Sequence, residues 1–191
     1  MNFTVPSHLP YPLWNAENSP ATDLRSCHGS ALAWLGYTLL QEDCPAEAVE
    51  ALTEALSLNP GSLSIREWRA TCYLELDQYD RALADLEDVV VLDSKYATAY
   101  NNRGLCYLLM GRTSEALEDL NTAIELNPLY VKAYAIRARI YCILGQYSQA
   151  QQSCNLGLLL DPTCEELLIA QRQIFERTYS FEPDTRKHSG P

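Results

Sequence analysis

The stretch that decides the fold, residues 97–128, reads ATAYNNRGLCYLLMGRTSEALEDLNTAIELNP. Apolar residues in 97–110 and in 113–126 recur at steps of three and four, which predicts two amphipathic helices. The short connector that begins with Gly111 turns the chain back, and Pro128 ends the second helix because proline cannot continue it. The stretch is therefore predicted to form an antiparallel helical hairpin.

The same pattern returns every 34 residues along the chain. An alanine of the second helix recurs at positions 48, 82, 116 and 150, and a small residue of the first helix at 36, 70, 104 and 138. One hairpin cannot bury its apolar face alone, so the units are expected to stack. The predicted order is a Pro-containing, flexible N-terminal segment, four repeat units, a capping helix and a flexible tail, at 1–28, 29–62, 63–96, 97–130, 131–164, 165–179 and 180–191.

With this pattern the chain resembles the tetratricopeptide repeat family. The third unit carries the family's pattern most fully, at Tyr100, Gly104, Tyr107, Ala116, Leu120, Ala123 and Pro128. The second unit departs from it at Arg66 and Ser94, and Arg69, Arg103 and Arg137 replace the usual leucine. The resemblance implies an all-α, right-handed solenoid of four tetratricopeptide helix-turn-helix repeats with a C-terminal capping helix.

Composition narrows the class of protein. The net charge of −11 is unfavourable for binding nucleic acid, which requires lysine and arginine to neutralise phosphates. No apolar run reaches the roughly 18 residues that a membrane span needs, and the N-terminus has no secretory pattern. The seven cysteines form no C-x-x-C pair, so we expect free thiols, no metal and no cofactor. These features predict an intracellular protein of the cytoplasm, with nucleus or cilium left open.

No set of residues has the pattern of a catalytic site. The histidines, at positions 8, 28 and 188, all lie outside the four units. Cys27 and His28 are adjacent in sequence and lack a third group to orient the imidazole. No phosphate-binding glycine loop of the G-x-x-x-x-G-K type is present. The chain is therefore expected not to be an enzyme.

The resemblance also implies a binding surface, because the first helices of such units line a concave groove that holds peptides. Carrying the family's groove positions over gives Trp34, Tyr37, Glu67, Trp68, Thr71, Asn101, Asn102, Leu105, Lys132, Ile136 and Arg139. Trp34 and Trp68 are expected either to anchor a ligand or to pack between neighbouring helices. Asn102 either bonds to a peptide backbone or stays solvated, whereas Arg103 is expected to lie between hairpins with its head at an acidic neighbour.

Some members of the family grip the C-terminal carboxylates of heat-shock chaperones with a Lys, Asn, Asn, Lys, Arg set. The corresponding residues here are Glu67, Thr71, Asn102, Lys132 and Ile136, which match at two places. Glu67 would repel the carboxylate that the first lysine attracts. This carboxylate clamp is therefore not expected.

The sequence thus predicts a non-catalytic scaffold or adaptor that presents a groove to a peptide or helix of another protein. Two alternatives stay open, a co-chaperone adaptor for a chaperone tail and a self-associating structural protein, with residues 10–14 as a further candidate occupant of the chain's own groove. Charge adds a preference: unit 29–62 has five acidic and no lysine or arginine residues, whereas unit 131–164 has three basic and one acidic residue. A bound segment is therefore expected to be basic near the first units and acidic near the last.

Overall fold

The computed structural model describes residues 24–179, with side chains from 27 to 178. Its helices are α1 (Leu24–Gln41), α2 (Pro45–Leu58), α3 (Leu63–Glu75), α4 (Tyr79–Leu92), α5 (Ala97–Leu109), α6 (Thr113–Leu126), α7 (Val131–Ile143), α8 (Tyr147–Leu160) and α9 (Glu165–Tyr179). Consecutive helices pack as four hairpins, and α9 packs on α7 and α8. The predicted all-α solenoid is thereby confirmed for the described part of the chain.

The boundary predicted at the N-terminus needs one correction. Helix α1 begins at Leu24, so the segment 1–28 that was predicted to be flexible is helical from residue 24 onward. The predictions for residues 1–23, including the groove-occupying stretch 10–14, and for the tail 180–191 lie outside the described residues. Within 24–179, no helix has the length and apolar character required to cross a membrane.

Each hairpin turns through one residue with left-handed backbone. These residues are Asp43, Asp77, Gly111 and Gly145, with φ of 59°, 57°, 76° and 70°. Glycine adopts this conformation without steric cost, and aspartate tolerates it better than most residues do. The turn is therefore as periodic as the helices, although the residue type changes between the second and third hairpins.

Small residues allow the two helices of a hairpin to lie close together. A Cβ atom built on Gly36 would lie 2.5 Å from Cγ of Leu52, and one built on Gly104 would lie 3.2 Å from the carbonyl oxygen of Ala116. Gly157 serves a different contact, because its missing side chain leaves room for Leu167 of α9, whose Cδ1 would lie 2.4 Å from such a Cβ. The glycine that lowers the helix propensity of α8 is thus what lets the capping helix approach.

Three arginines at equivalent positions link the helices of their own hairpins. Arg69 donates two hydrogen bonds to Asp85, at 2.8 and 2.7 Å, and Arg103 donates two to Asp119, both at 2.7 Å. The prediction that Arg103 lies between hairpins is therefore wrong, because its carboxylate partner belongs to the same hairpin. The acidic neighbour that was expected for its head group is present.

The arginine ladder, as we call Arg69, Arg103 and Arg137 with their partners, changes in the fourth hairpin. Arg137 donates to the hydroxyl of Ser153 at 3.1 Å and to the amide oxygen of Asn121, in the preceding hairpin, at 2.8 Å. Arg69 makes a comparable link to the preceding hairpin through the hydroxyl of Thr53, at 3.1 Å. The ladder therefore joins helices within hairpins and, at two steps, between them.

Candidate functional site

The first helices of the four hairpins, α1, α3, α5 and α7, form one continuous surface, which we call the groove face. Helix α3 contacts both α1 and α5, and α5 also contacts α7. All eleven residues proposed from the sequence lie on these four helices. Three of them form an aromatic cluster, and three others belong to a polar cluster.

The aromatic cluster of the groove face consists of Trp34, Tyr37 and Trp68. The Trp34 and Tyr37 rings meet edge to face with centroids 5.8 Å apart, and the Tyr37 and Trp68 rings are tilted at 4.8 Å. Trp68 is half-buried and packs against the core between the first two hairpins, whereas Trp34 is 50% exposed. The two tryptophans therefore divide the roles that the sequence left open, since one packs and the other faces solvent.

The polar cluster of the groove face consists of Glu67, Tyr96, Asn101 and Asn102. The Glu67 carboxyl group accepts a hydrogen bond from the Tyr96 hydroxyl at 2.6 Å and another from the Asn102 amide at 3.2 Å. Asn101 donates its amide to Oδ1 of Asn102 at 3.1 Å. The donors of this cluster thus converge, directly or through Asn102, on one carboxyl group.

Burial controls the acid–base properties of the polar cluster. Desolvation raises the pKa of Glu67, and the hydrogen bonds from Tyr96 and Asn102, together with the charge of Lys132, offset part of that rise. Burial, followed by the nearby Glu67 carboxylate, raises the pKa of Tyr130 to about 12. The same two causes raise the pKa of Tyr96. Tyr96 and Tyr130 therefore both remain protonated at neutral pH and can act as hydrogen-bond donors.

The other candidate residues differ in how far they can reach a ligand. Asn101 is only 2% exposed, so it supports Asn102 and does not present its amide to the surface. Ile136 packs against the core between the third and fourth hairpins, and Leu105 is half-buried. Lys132 and Arg139 are exposed. The remaining candidate is Thr71 of α3, whose hydroxyl donates at 3.0 Å to the backbone carbonyl of Glu67 in the same helix.

Two tyrosines of this surface were not identified from the sequence. Tyr96 and Tyr130 stand just before α5 and α7, at equivalent places in the repeat. The Tyr96 hydroxyl donates to Glu67 in the first helix of the preceding hairpin, and the charge of Glu67 also acts on Tyr130. The signal was present as a tyrosine repeated at the repeat spacing, but it lies in a connector, where the helical pattern gives no expectation.

The thiols and the one described histidine show no arrangement for nucleophilic catalysis. Burial raises the pKa of Cys72 to about 12 and that of Cys106 to about 11, which keeps both thiols protonated. His28 does have a carboxylate neighbour that the sequence did not show, since its Nε2 lies 3.5 Å from Oε1 of Glu54. Within the described residues, however, Cys27 forms no hydrogen bond with His28, and adjacent helical side chains point about 100° apart.

Three tetratricopeptide repeat models match the sequence, at residues 39–101, 72–141 and 131–164. Together these matches extend from within the first hairpin to the end of the fourth. The chain belongs to the tetratricopeptide repeat family. Its architecture is accordingly that of a protein-interaction module.

Solved structures of other tetratricopeptide proteins have the same architecture. A crystal structure of MamA is 25% identical with a TM-score of 0.64, covering 70% of this chain and 78% of that one. TTC0263, a thermophilic tetratricopeptide protein of Thermus thermophilus, is 23% identical with a TM-score of 0.72, covering 79% and 83%. The first tetratricopeptide domain of RPAP3, bound to the HSP90 peptide SRMEEVD, is 24% identical with a TM-score of 0.60, covering 63% and 95%. No curated protein sequence matches the chain.

In this tetratricopeptide array the positions of the family's carboxylate clamp hold an internal network. Glu67 already occupies the centre of that network and is held by Asn102, one of the two clamp positions that match. Ile136 places an aliphatic side chain, packed on the core, at the position of the clamp arginine. The two asparagines and the arginine at 101–103 therefore have three separate roles: a buried support, a partner of Glu67 and an ion pair within the hairpin.

Proposed function

We propose that this protein is a non-catalytic adaptor or scaffold that binds a peptide or helix of a partner protein on its groove face. The observation that carries the proposal is the aromatic cluster, where Trp34 is half-exposed and stands in a row with Tyr37 and Trp68. Exposed tryptophan is a frequent anchor at protein interfaces, because it offers a large apolar area together with one hydrogen-bond donor. The rigid helices beneath it leave most of the ordering cost of binding to the ligand.

The co-chaperone hypothesis has less support. The RPAP3 domain with its HSP90 peptide shares the fold of this chain, and that likeness extends to the backbone alone. The clamp would require a cation where Glu67 stands and another where Ile136 stands. We therefore favour other protein ligands over a chaperone tail as the partner.

The test is affinity capture from cell extract with matched variants. The groove variant combines Trp34→Ala, Lys132→Ala and Arg139→Ala, which change exposed side chains of α1 and α7. The control variant combines three exposed residues outside the groove face, namely Val91→Ala, Leu129→Ala and Leu159→Ala. Circular dichroism first establishes that both variants keep the helical content of the parent chain.

We expect a specific set of captured proteins to be lost with the groove variant and retained with the control. Retention with both variants would place recognition elsewhere on the molecule and overturn the assignment of the groove face. Light scattering at two protein concentrations, on the parent chain and on both variants, separates this outcome from self-association. A mass that rises with concentration and falls in the groove variant would indicate a second copy as the ligand.

A further inference from the structure

The polar cluster at the middle of the groove face holds a partly buried acid, Glu67, without a cationic partner. Within the described residues, Glu67 forms no ion pair with any lysine or arginine, although the charge of Lys132 reaches it. Its two hydrogen bonds come from neutral donors, the Tyr96 hydroxyl and the Asn102 amide. Burying a carboxylate costs free energy unless a paired charge compensates it. The cluster is therefore short of one positive charge.

The same cluster is rich in hydrogen-bond acceptors. Oδ1 of Asn101 is buried and has no hydrogen-bond partner, in a side chain that is 2% exposed. The amide of Asn101 is directed to Asn102, and the amide of Asn102 to Glu67, so each amide group uses one of its two N–H donors within the cluster. Each carboxylate oxygen can accept a further bond beyond the one that it receives. The acceptor positions that a ligand can reach are those of the partly buried Glu67 carboxylate, and an N–H group of the ligand would fill them.

The aromatic cluster provides a second element that favours a cation. Trp68 directly follows Glu67 on α3, and it packs against Tyr37, which meets Trp34. The cation–π contacts of the described arginines fall on tyrosines outside this cluster, so its three rings carry no described arginine. Ring faces of tryptophan and tyrosine attract lysine and especially arginine, whose guanidinium group also stacks on them.

The charges around the groove face are polarised in the same sense. Glu75, at the C-terminal end of α3, is a further exposed acid and has the acidic Asp43 nearby. At the other end of the groove face, α7 presents the exposed cations Lys132 and Arg139. A ligand that is basic at α3 and acidic at α7 is therefore oriented by the groove face.

Resting on the function proposed above, we propose that the groove face selects an internal basic segment of its partner. An arginine or lysine of that segment donates to the Glu67 carboxylate while its side chain packs against the aromatic cluster. A C-terminal carboxylate is excluded from this place by Glu67. Residues 1–23 contain no lysine or arginine, so the N-terminal segment of the chain does not have the chemistry of this ligand.

The test uses defined peptides with the full chain. The probe is a set of four 12-residue peptide pools, acetylated and amidated at their ends, that carry arginine, citrulline, norleucine or glutamate at one central position and a random mixture elsewhere. Citrulline keeps the shape of arginine and removes its charge. Immobilised protein captures each pool, and mass spectrometry measures the captured amount. We expect the arginine pool to be captured about tenfold more than the citrulline pool, which corresponds to one charge-assisted contact.

Three variants make the result specific. Glu67→Gln removes the charge and should abolish the preference for arginine, whereas Glu118→Gln, on an exposed side chain of α6, should retain it. Trp34→Ala should lower the captured amount for every pool, since it removes the half-exposed ring that contacts any ligand. Equal capture of arginine and citrulline pools by the parent chain, with loss in Trp34→Ala, would overturn the basic-ligand inference and leave the groove proposal standing. Capture that is insensitive to Trp34→Ala would overturn the groove proposal, and this inference with it.

Discussion

The second hairpin (α3 and α4) and the fourth (α7 and α8) share a backbone but present different surfaces on the groove face. The second carries Glu67 and the half-buried Trp68 there. The fourth carries Lys132 and Arg139, with Ile136 taken up by the core. One hairpin thus presents an acid and an aromatic ring and the other presents cations, so the two hairpins differ in the charge that they place on the groove face.

The same two hairpins also differ where the helices are held together. The guanidinium group of Arg69 pairs with the carboxylate of Asp85, whereas that of Arg137 meets the hydroxyl of Ser153. The turn uses Asp77 in the second hairpin and Gly145 in the fourth. The repeat therefore fixes the small residues and the left-handed turn, and leaves the partner of the ladder arginine free to vary.

The largest effect is expected from removing the carboxylate of the second hairpin. Asp85→Ala leaves the half-buried Arg69 without its ion pair and should lower the free energy of unfolding by about 3 kcal/mol. Ser153→Ala removes a neutral acceptor of Arg137, together with the bond that the hydroxyl donates to the Gln149 carbonyl of its own helix, and should cost about 1 kcal/mol. Urea unfolding followed by circular dichroism measures both. Equal losses would mean that the ion pair contributes no more than the hydroxyl does.

A smaller effect is expected at the turn of the fourth hairpin. Gly145 has φ of 70° and open space around it, so Gly145→Ala should cost about 1.5 kcal/mol through backbone strain alone. Gly145→Asp should cost less, because aspartate tolerates this conformation and Asp77 accepts a hydrogen bond from Tyr79 at the equivalent turn. Thermal unfolding of the two variants ranks them. A greater loss with aspartate would show that the two turns are not equivalent.

Converting the fourth hairpin to the chemistry of the second should stabilise it. Ser153→Asp supplies Arg137 with a carboxylate in the place that Asp85 occupies in the second hairpin, and should raise the free energy of unfolding by about 1 kcal/mol. Gln152→Glu, exposed on the same helix, adds the same charge without the pair and should change stability little. If both variants behave alike in urea, the gain comes from net charge and not from the ladder.

The pH dependence of the free energy of unfolding isolates the contribution of Glu67, the acid of the second hairpin. Burial makes the pKa of Glu67 higher in the folded chain than in the unfolded one, so its contribution to stability is complete below pH 4.5 and is lost as the pH rises through the folded pKa. Glu67→Gln should therefore be more stable than the parent chain at pH 7, and this advantage should disappear below pH 4.5. Urea midpoints at both pH values measure it. An advantage that is the same at both values would assign it to packing and not to charge.

The repeat was predictable because it depends on spacing. The small residues at Gly36 and Gly104, the hairpins and the solenoid all follow from one recurring pattern, and the structure confirms the fold. The partner of Arg103 was predicted by type but assigned to the wrong interface, because a sequence period does not tell which face of a helix meets which neighbour. The link from Tyr96 to Glu67 crosses from a connector to the preceding hairpin, a distance of 29 residues, and no helical pattern encodes such a contact.

The contact of Gly157 with Leu167 has counterparts at every junction between successive hairpins. The residues at the equivalent places are buried in shared cores, as Ala55 with Ile65, Val89 with Ala99, and Ala123 with Ala133. At the first and last junctions the larger residue of the pair, Ile65 or Leu167, comes from the later helix. At the second junction the larger residue, Val89, comes from the earlier helix, and at the third junction both residues are alanine. Hairpins of this protein are therefore not interchangeable modules: a rearranged chain that sets α9 against α4 would force Leu167 onto Val89, so the order of the hairpins is encoded in the pairs that join them.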